Sequence, residues 1–191
     1  MGEGDFFMYK MKNDFWGIKK LKNIKVLSSV ALFAAISIVS GKFLAISIGD
    51  TIRISFENLT IILCGMMFGP IPGVLAGVCA DVLGCILRGY TIIPILTLGA
   101  ALIGFISGVF YNTLNKLSDY LRVSVSCLFS HIIGSVIIKT IGLSLYYQMP
   151  FVETLLLRSV NYLIVFIAET FVLMIVIKNK GFITQINRIK G

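Results

Sequence analysis

The strongest constraint on this chain is a series of apolar runs, each about as long as a bilayer is thick, with only brief polar breaks between them. A helix needs about 20 apolar residues to cross hydrocarbon. Runs of that order fall at 26–48, 52–68, 68–90, 92–114, 123–147 and 154–177, broken by "GDT", "FGP", "RGYT" and "NKLSDYLR". The second is short and polar at its start, so its outer end is expected to dip in from a loop. Only 14% of the residues are charged, against roughly 25% for a soluble domain with a wetted surface. Bilayer is therefore the expected solvent, and the expected fold is an all-α integral membrane protein, a six-transmembrane-helix bundle.

Charge sets the expected orientation. Residues 1–25 carry six lysines against Glu3, Asp5 and Asp14, and the stretch after Ile177 carries Lys178, Lys180, Arg188 and Lys190 with no acid. The segment between is nearly balanced, with seven basic and six acidic residues. Basic ends flanking an apolar block read as cytoplasmic, and two ends on one side require an even number of spans. The organisation expected is one membrane domain over 1–191: a basic tail at 1–25, the bundle at 26–177 and a second basic tail at 178–191. The basic start followed by a long apolar run reads as a retained first span, not a cleaved leader.

The four cysteines, Cys64, Cys79, Cys85 and Cys127, all fall in apolar stretches without CxxC or Cys/His metal spacing. They read as small buried hydrophobes, with no disulfide framework, metal or cofactor expected. Small residues recur four apart at Ala31/Ala35, Gly65/Gly69/Gly73/Gly77 and Gly104/Gly108. Such spacing lets helix backbones approach closely in lipid. Ala31 and Ala35 are also candidates for a smooth face toward a second membrane protein.

Ionisable residues inside spans face a bundle interior, a cavity or a partner. Helical spacing sorts them into three stripes: Asp81, Cys85 and Arg88; then His131, Ser135, Lys139, Gly142 and Tyr146; then Arg158, Tyr162, Val165 and Glu169, with Asn161 alongside. At about 1.5 Å per residue, Asp81 lies about 16 Å from the "FGP" turn, near mid-bilayer. His131 and Glu169 reach similar depth, where they could pair with each other. Arg88, Lys139 and Arg158 lie in the outer third, with Arg53 and Lys42 at the first loop. The pattern implies an outward cavity with a cationic mouth and one deep carboxylate. Phe56, Tyr90 and Tyr146 near that mouth are either interfacial-belt aromatics or stacking walls. An anionic small molecule with donors at its far end would suit such a site.

Walker, GxGxxG and HExxH motifs are absent, as is a catalytic pair of the intramembrane-protease kind. An enzyme is not expected. A proton-coupled secondary transporter, with Asp81, His131 and Glu169 as its relay, is the alternative from another class.

The runs "RISFENL", "FGPIPGVLAGVCADVLG" and "RGYTIIPILTLGAALIG" resemble the S components of energy-coupling factor (ECF) vitamin transporters, most closely the folate-specific ones. The resemblance in layout covers nearly the whole chain. It implies six helices, high-affinity capture of folate from outside, and docking on a transmembrane T component driven by two ABC ATPases in a bacterial plasma membrane. It also implies docking through an AxxxA face on the first helix, matched by Ala31 and Ala35. On this resemblance Asp81 would accept the pterin N–H edge, with Thr97 adding a hydroxyl. Arg53, Arg88 or Arg158 would meet the glutamate carboxylates. Asn58, Cys85, His131, Lys139 and Asn161 complete the expected substrate-binding set. Another vitamin such as thiamine is the competing substrate, disfavoured by its positive charge.

Overall fold

The structure is a computed structural model that describes residues 15–43, 46–48 and 52–190, with the side chains of 42–43, 46–48 and 52–54 left aside. Among the described residues it is helical apart from one short hairpin. A 3-10 turn at Lys19–Lys22 precedes α1 (Ile24–Phe43). Strands β1 (Ile46–Ile48) and β2 (Ile52–Ile54) pair antiparallel with Ser47 opposite Arg53. Helices α2 (Glu57–Phe68), α3 (Pro70–Arg88) and α4 (Pro94–Thr113) follow. Then come α5 (Asp119–Tyr147), α6 (Phe151–Lys178) and α7 (Lys180–Lys190).

Five of these, α1 and α3 to α6, are long and apolar enough to cross a membrane. The expected second span is different. Ile52–Ile54 goes to β2, and α2 keeps only 12 residues, about 18 Å of helix. The first run likewise stops short: α1 ends at Phe43, and Ile46–Ile48 becomes β1. The β-branched isoleucines on either side of "GDT" favour a hairpin over continued helix.

Local chemistry sets the helix ends. Pro70 and Pro94 open α3 and α4 at the first turn, where a missing N–H costs nothing. Gly89 closes α3 in the left-handed conformation at φ 69°. Between α2 and α3, Gly69 adopts φ 116°, open to glycine but strained for other residues. The N-terminal segment packs under this turn. Ile71 donates its backbone N–H to the Trp16 carbonyl at 3.1 Å, and Lys20 Nζ donates to the Phe68 carbonyl at 3.1 Å.

Helices α2, α3 and α4 meet backbone to backbone. A Cβ added at Gly104 would strike the carbonyl of Gly73, and one at Gly77 would strike that of Ala100. At Gly108 it would meet the backbone N of Pro70 at 2.6 Å. The antiparallel register thus runs Pro70/Gly108, Gly73/Gly104, Gly77/Ala100, and then Asp81/Thr97. Close approach through small residues supplies the van der Waals contact that lipid-embedded helices depend on.

Within α5, residues His131–Ile138 form a π-helical segment. The widened turn rotates the residues after it relative to those before it. The final stretch, read from composition as a basic tail, is instead the amphipathic helix α7. Its Ile186 is buried against the core, with Phe182, Ile183 and Ile189 partly buried beside it. Asn23 Nδ2 donates to the Ile189 carbonyl at 3.0 Å, so the segments entering and leaving the bundle are fastened at one end of it.

Candidate functional site

At the end of the bundle away from the Gly69 turn, α1 to α5 enclose an open cleft of about 60 Å³. Its walls bring together Glu57, Asn58, Asp81, Cys85, Arg88 and Lys139. The stripe predicted on α3 therefore faces a single space. Gly84 and Ala80 on that helix leave room for it.

Asp81 accepts a hydrogen bond from the Thr97 hydroxyl at 2.6 Å, at the last step of the α3/α4 register. Seven residues on, two helical turns nearer the loop, the Arg88 guanidinium lies 3.8 Å from Glu57 Oε2. Both side chains are partly solvated, 20% and 29% exposed, so this ion pair is open to exchange. It rests against Gly41 of α1, where an added Cβ would sit 2.6 Å from Glu57 Oε2. Lys139 reaches the cleft from α5 with its stem laid over Gly99. Asn58 is buried, its amide N–H donating to Ser135 Oγ at 3.4 Å, while its carbonyl oxygen has no partner. The cleft thus offers a carboxylate at depth with Lys139 at about the same level, a second cation, Arg88, nearer the loop, and the unpaired Asn58 amide oxygen in its wall.

Not every predicted residue is here. His131 does not line the cleft: its Nε2 lies 2.7 Å from Glu169 Oε2 in the interior between α5 and α6. Arg158 also turns away, donating through Nη2 to the Ser135 carbonyl at 2.8 Å, with its guanidinium 5.2 Å from the Tyr162 ring. Asn161 belongs to α6 outside the lining. Tyr90 and Tyr146 are exposed at the loops, 61% and 52%. Phe56 caps α2 and is half-buried. The predicted role of Arg53 falls on a side chain outside the described residues. Ala31 and Ala35 are both exposed on one face of α1.

Sequence reasoning missed Glu57. It stands in "RISFENL" directly before Asn58, and its facing is readable only once the helix is known to begin there. Its opposition to Arg88 follows from α2 beginning at Glu57.

Fold and site together define a helical membrane protein with an internal polar cleft near one end. Residues 21–182 match the family model described as "ECF-type riboflavin transporter, S component", and the chain belongs to that family, one of transporter components and not of enzymes. The folate transporter FolT of Clostridium novyi (strain NT) is 31% identical over 127 residues, covering 65% of this chain and 72% of that one. An uncharacterized MG313 homolog of Mycoplasma pneumoniae is 27% identical over 95 residues, half of this chain. That match spans about a third (33%) of the relative's own length. Among solved structures, one described as FolT bound with folic acid superposes with a TM-score of 0.65 at 28% identity. It covers 78% of this chain and 90% of that one.

Proposed function

We propose that this chain captures folate from outside the cell and passes it through an ATP-driven ECF transporter, docking on a T component and two ABC ATPases. The observation that carries this reading is the division of charge in one cleft, Asp81 at depth and Arg88 toward the loops, with Lys139 reaching in beside the deep end. Folate has the matching division. Its pterin edge presents adjacent N–H donors that one carboxylate can accept together, and its far end bears two carboxylates. The relative solved with folic acid supports the same assignment.

Asp81 then takes the pterin edge, Thr97 shares its hydroxyl, and the Asn58 carbonyl accepts a further donor. Arg88 meets the glutamate tail, and Lys139 stands nearer the pterin end. A cleft of about 60 Å³ falls well short of the roughly 300 Å³ or more that holds a drug-sized ligand. Binding therefore widens it, and the solvated Glu57–Arg88 pair is the contact that gives way. Ala31 and Ala35 form the docking face for the T component. In this reading α2 completes a sixth span with the hairpin at its outer end, and both termini are cytoplasmic in a bacterial plasma membrane. The fastening of Asn23 to Ile189 supports a common side for the two ends.

Riboflavin is the second reading, because the family model carries its name. It has no carboxylate and would leave Arg88 without an anion. Calorimetric titration of folic acid and riboflavin into the purified protein in detergent separates the two. Tight one-to-one binding of folic acid, weakened at least about tenfold by Asp81→Asn, is the expected result. Heat from riboflavin alone, or neither heat nor competition at micromolar folate, would overturn the folate assignment.

A further inference from the structure

Away from the cleft, Cys127 and His131 on α5 and Glu169 on α6 direct Sγ, an imidazole nitrogen and a carboxylate oxygen toward one point, all within 4.8 Å of one another. The three residues are buried, at 0%, 2% and 0% exposure. We propose that they form an intramembrane binding site for a zinc-like divalent cation. The inference is independent of which vitamin the cleft takes.

Four observations support it. First, Cys127 and His131 stand four apart on one helix, so both side chains fall on the same face, and the facing helix supplies the third donor. Second, Glu169 Oε1 is buried with no hydrogen-bond partner, although its sister oxygen contacts His131 at 2.7 Å. An unpaired carboxylate oxygen in such surroundings is costly unless something positive meets it. Third, His131 Nδ1 lies 3.4 Å from Ser135 Oγ. With the proton on Nδ1 shared to that hydroxyl, Nε2 keeps its lone pair toward the cluster, as in ligating histidines held by an outer partner. Fourth, the π-helical segment starts at His131, and such segments are frequent at functional sites.

Charge favours a divalent ion. Thiolate and carboxylate contribute two negative charges and neutral imidazole none, so a doubly charged cation gives an electroneutral complex. That is the least expensive way to hold an ion in hydrocarbon. Loading displaces one proton from the Cys127 thiol and one shared by His131 and Glu169, two protons out for one ion in. The sulfur–nitrogen–oxygen donor set suits zinc over magnesium or calcium. Donor atoms on one zinc stand about 3.3–3.8 Å apart, given bond lengths of about 2.0–2.3 Å. Nε2 and Oε2, now at 2.7 Å, need to part by only about 1 Å.

The linear pattern concealed this site, because a Cys-x3-His pair carries little meaning until Glu169 arrives from another helix.

Cobalt(II) is the probe. Titration of the full-length protein in detergent, after chelation, should give a thiolate-to-cobalt absorption band saturating at one ion per chain. Release of two protons should accompany it, and zinc should displace the cobalt. Cys127→Ser should abolish the band, and Glu169→Gln should weaken zinc binding more than about tenfold. Cys64→Ser, at a buried cysteine outside the cluster, should leave both unchanged. Thermal unfolding of each variant confirms folding. No band in the wild-type protein at saturating cobalt, or a band that survives Cys127→Ser, would leave only a hydrogen-bonded His–Glu pair.

Discussion

Glu57→Gln tests whether the cleft holds its own substitute for a ligand carboxylate. Glu57 Oε2 and the Arg88 guanidinium lie 3.8 Å apart, an attraction of about 4 kcal/mol at an effective dielectric of about 20. The two side chains are 29% and 20% exposed, and solvent screening brings the net value of such a pair to about 1 kcal/mol. A ligand carboxylate that takes Arg88 must first displace Glu57. Removing the competing charge should therefore tighten folic acid binding by about 1 kcal/mol, roughly fivefold in Kd. Calorimetry in detergent at low and high salt is the assay, and the gain should shrink as salt screens the pair. In an Arg88→Gln background the same substitution should have little effect, since nothing is left to release. Weaker binding in Glu57→Gln, or an equal gain with Arg88 already gone, would refute the competition and make Glu57 a contact of the ligand itself.

Other outcomes can be stated briefly. Gly104→Ala drives a methyl into the Gly73 backbone and should cost about 1–3 kcal/mol or more by overpacking. Gly84→Ala, facing only Ile38 Cγ1 at 3.9 Å, should stay within about 0.5 kcal/mol, and thermal unfolding compares them. Thr97→Val removes the donor 2.6 Å from Asp81 and should change folic acid affinity severalfold, about 1 kcal/mol, while riboflavin titration stays flat. Burial, with Lys20 and Arg122 adding, lowers the Lys190 pKa from 10.5 to about 8. The folded group then holds its proton less tightly than the unfolded one, so docking of α7 gains stability as pH rises from about 8 to 10.5. Amide exchange over 182–189, corrected for intrinsic rates, should slow across that window, and Lys190→Met should remove the dependence. Exchange that quickens would refute the assignment.

What could be read in advance was whatever a single helix determines. Asp81, Cys85 and Arg88 share a face by spacing alone, and the structure sets all three on one cleft. The five long helices follow from apolar length. Features that depend on breaks in regularity were not legible. His131 meets Glu169 while Lys139 lines the cleft, though a 3.6-residue period puts them on one stripe, and the stretch from His131 to Ile138 between them is π-helical. The hairpin moved the start of α2 to Glu57 and so hid that residue's partner. The α7 helix was legible in principle, since Phe182, Ile183, Ile186 and Ile189 repeat at helical spacing, but its lysines drew the reading toward a solvated tail.

The backbone seam between α3 and α4 has a consequence for how such a cleft can change over time. Its steps recur every three or four residues, so the carboxylate of Asp81 sits at a depth measured out in whole turns from the Pro70 bend. One residue inserted between Gly73 and Gly77 would swing Asp81 by about 100° off the cleft and set side chains where backbone now meets backbone. Two turns added together on both helices would restore every facing and set the acid about 10 Å farther from the Pro70 bend. The position of the acid in this scaffold is a stepped quantity, and a longer or shorter ligand is accommodated at the loop end, where Glu57 and Arg88 stand outside the seam.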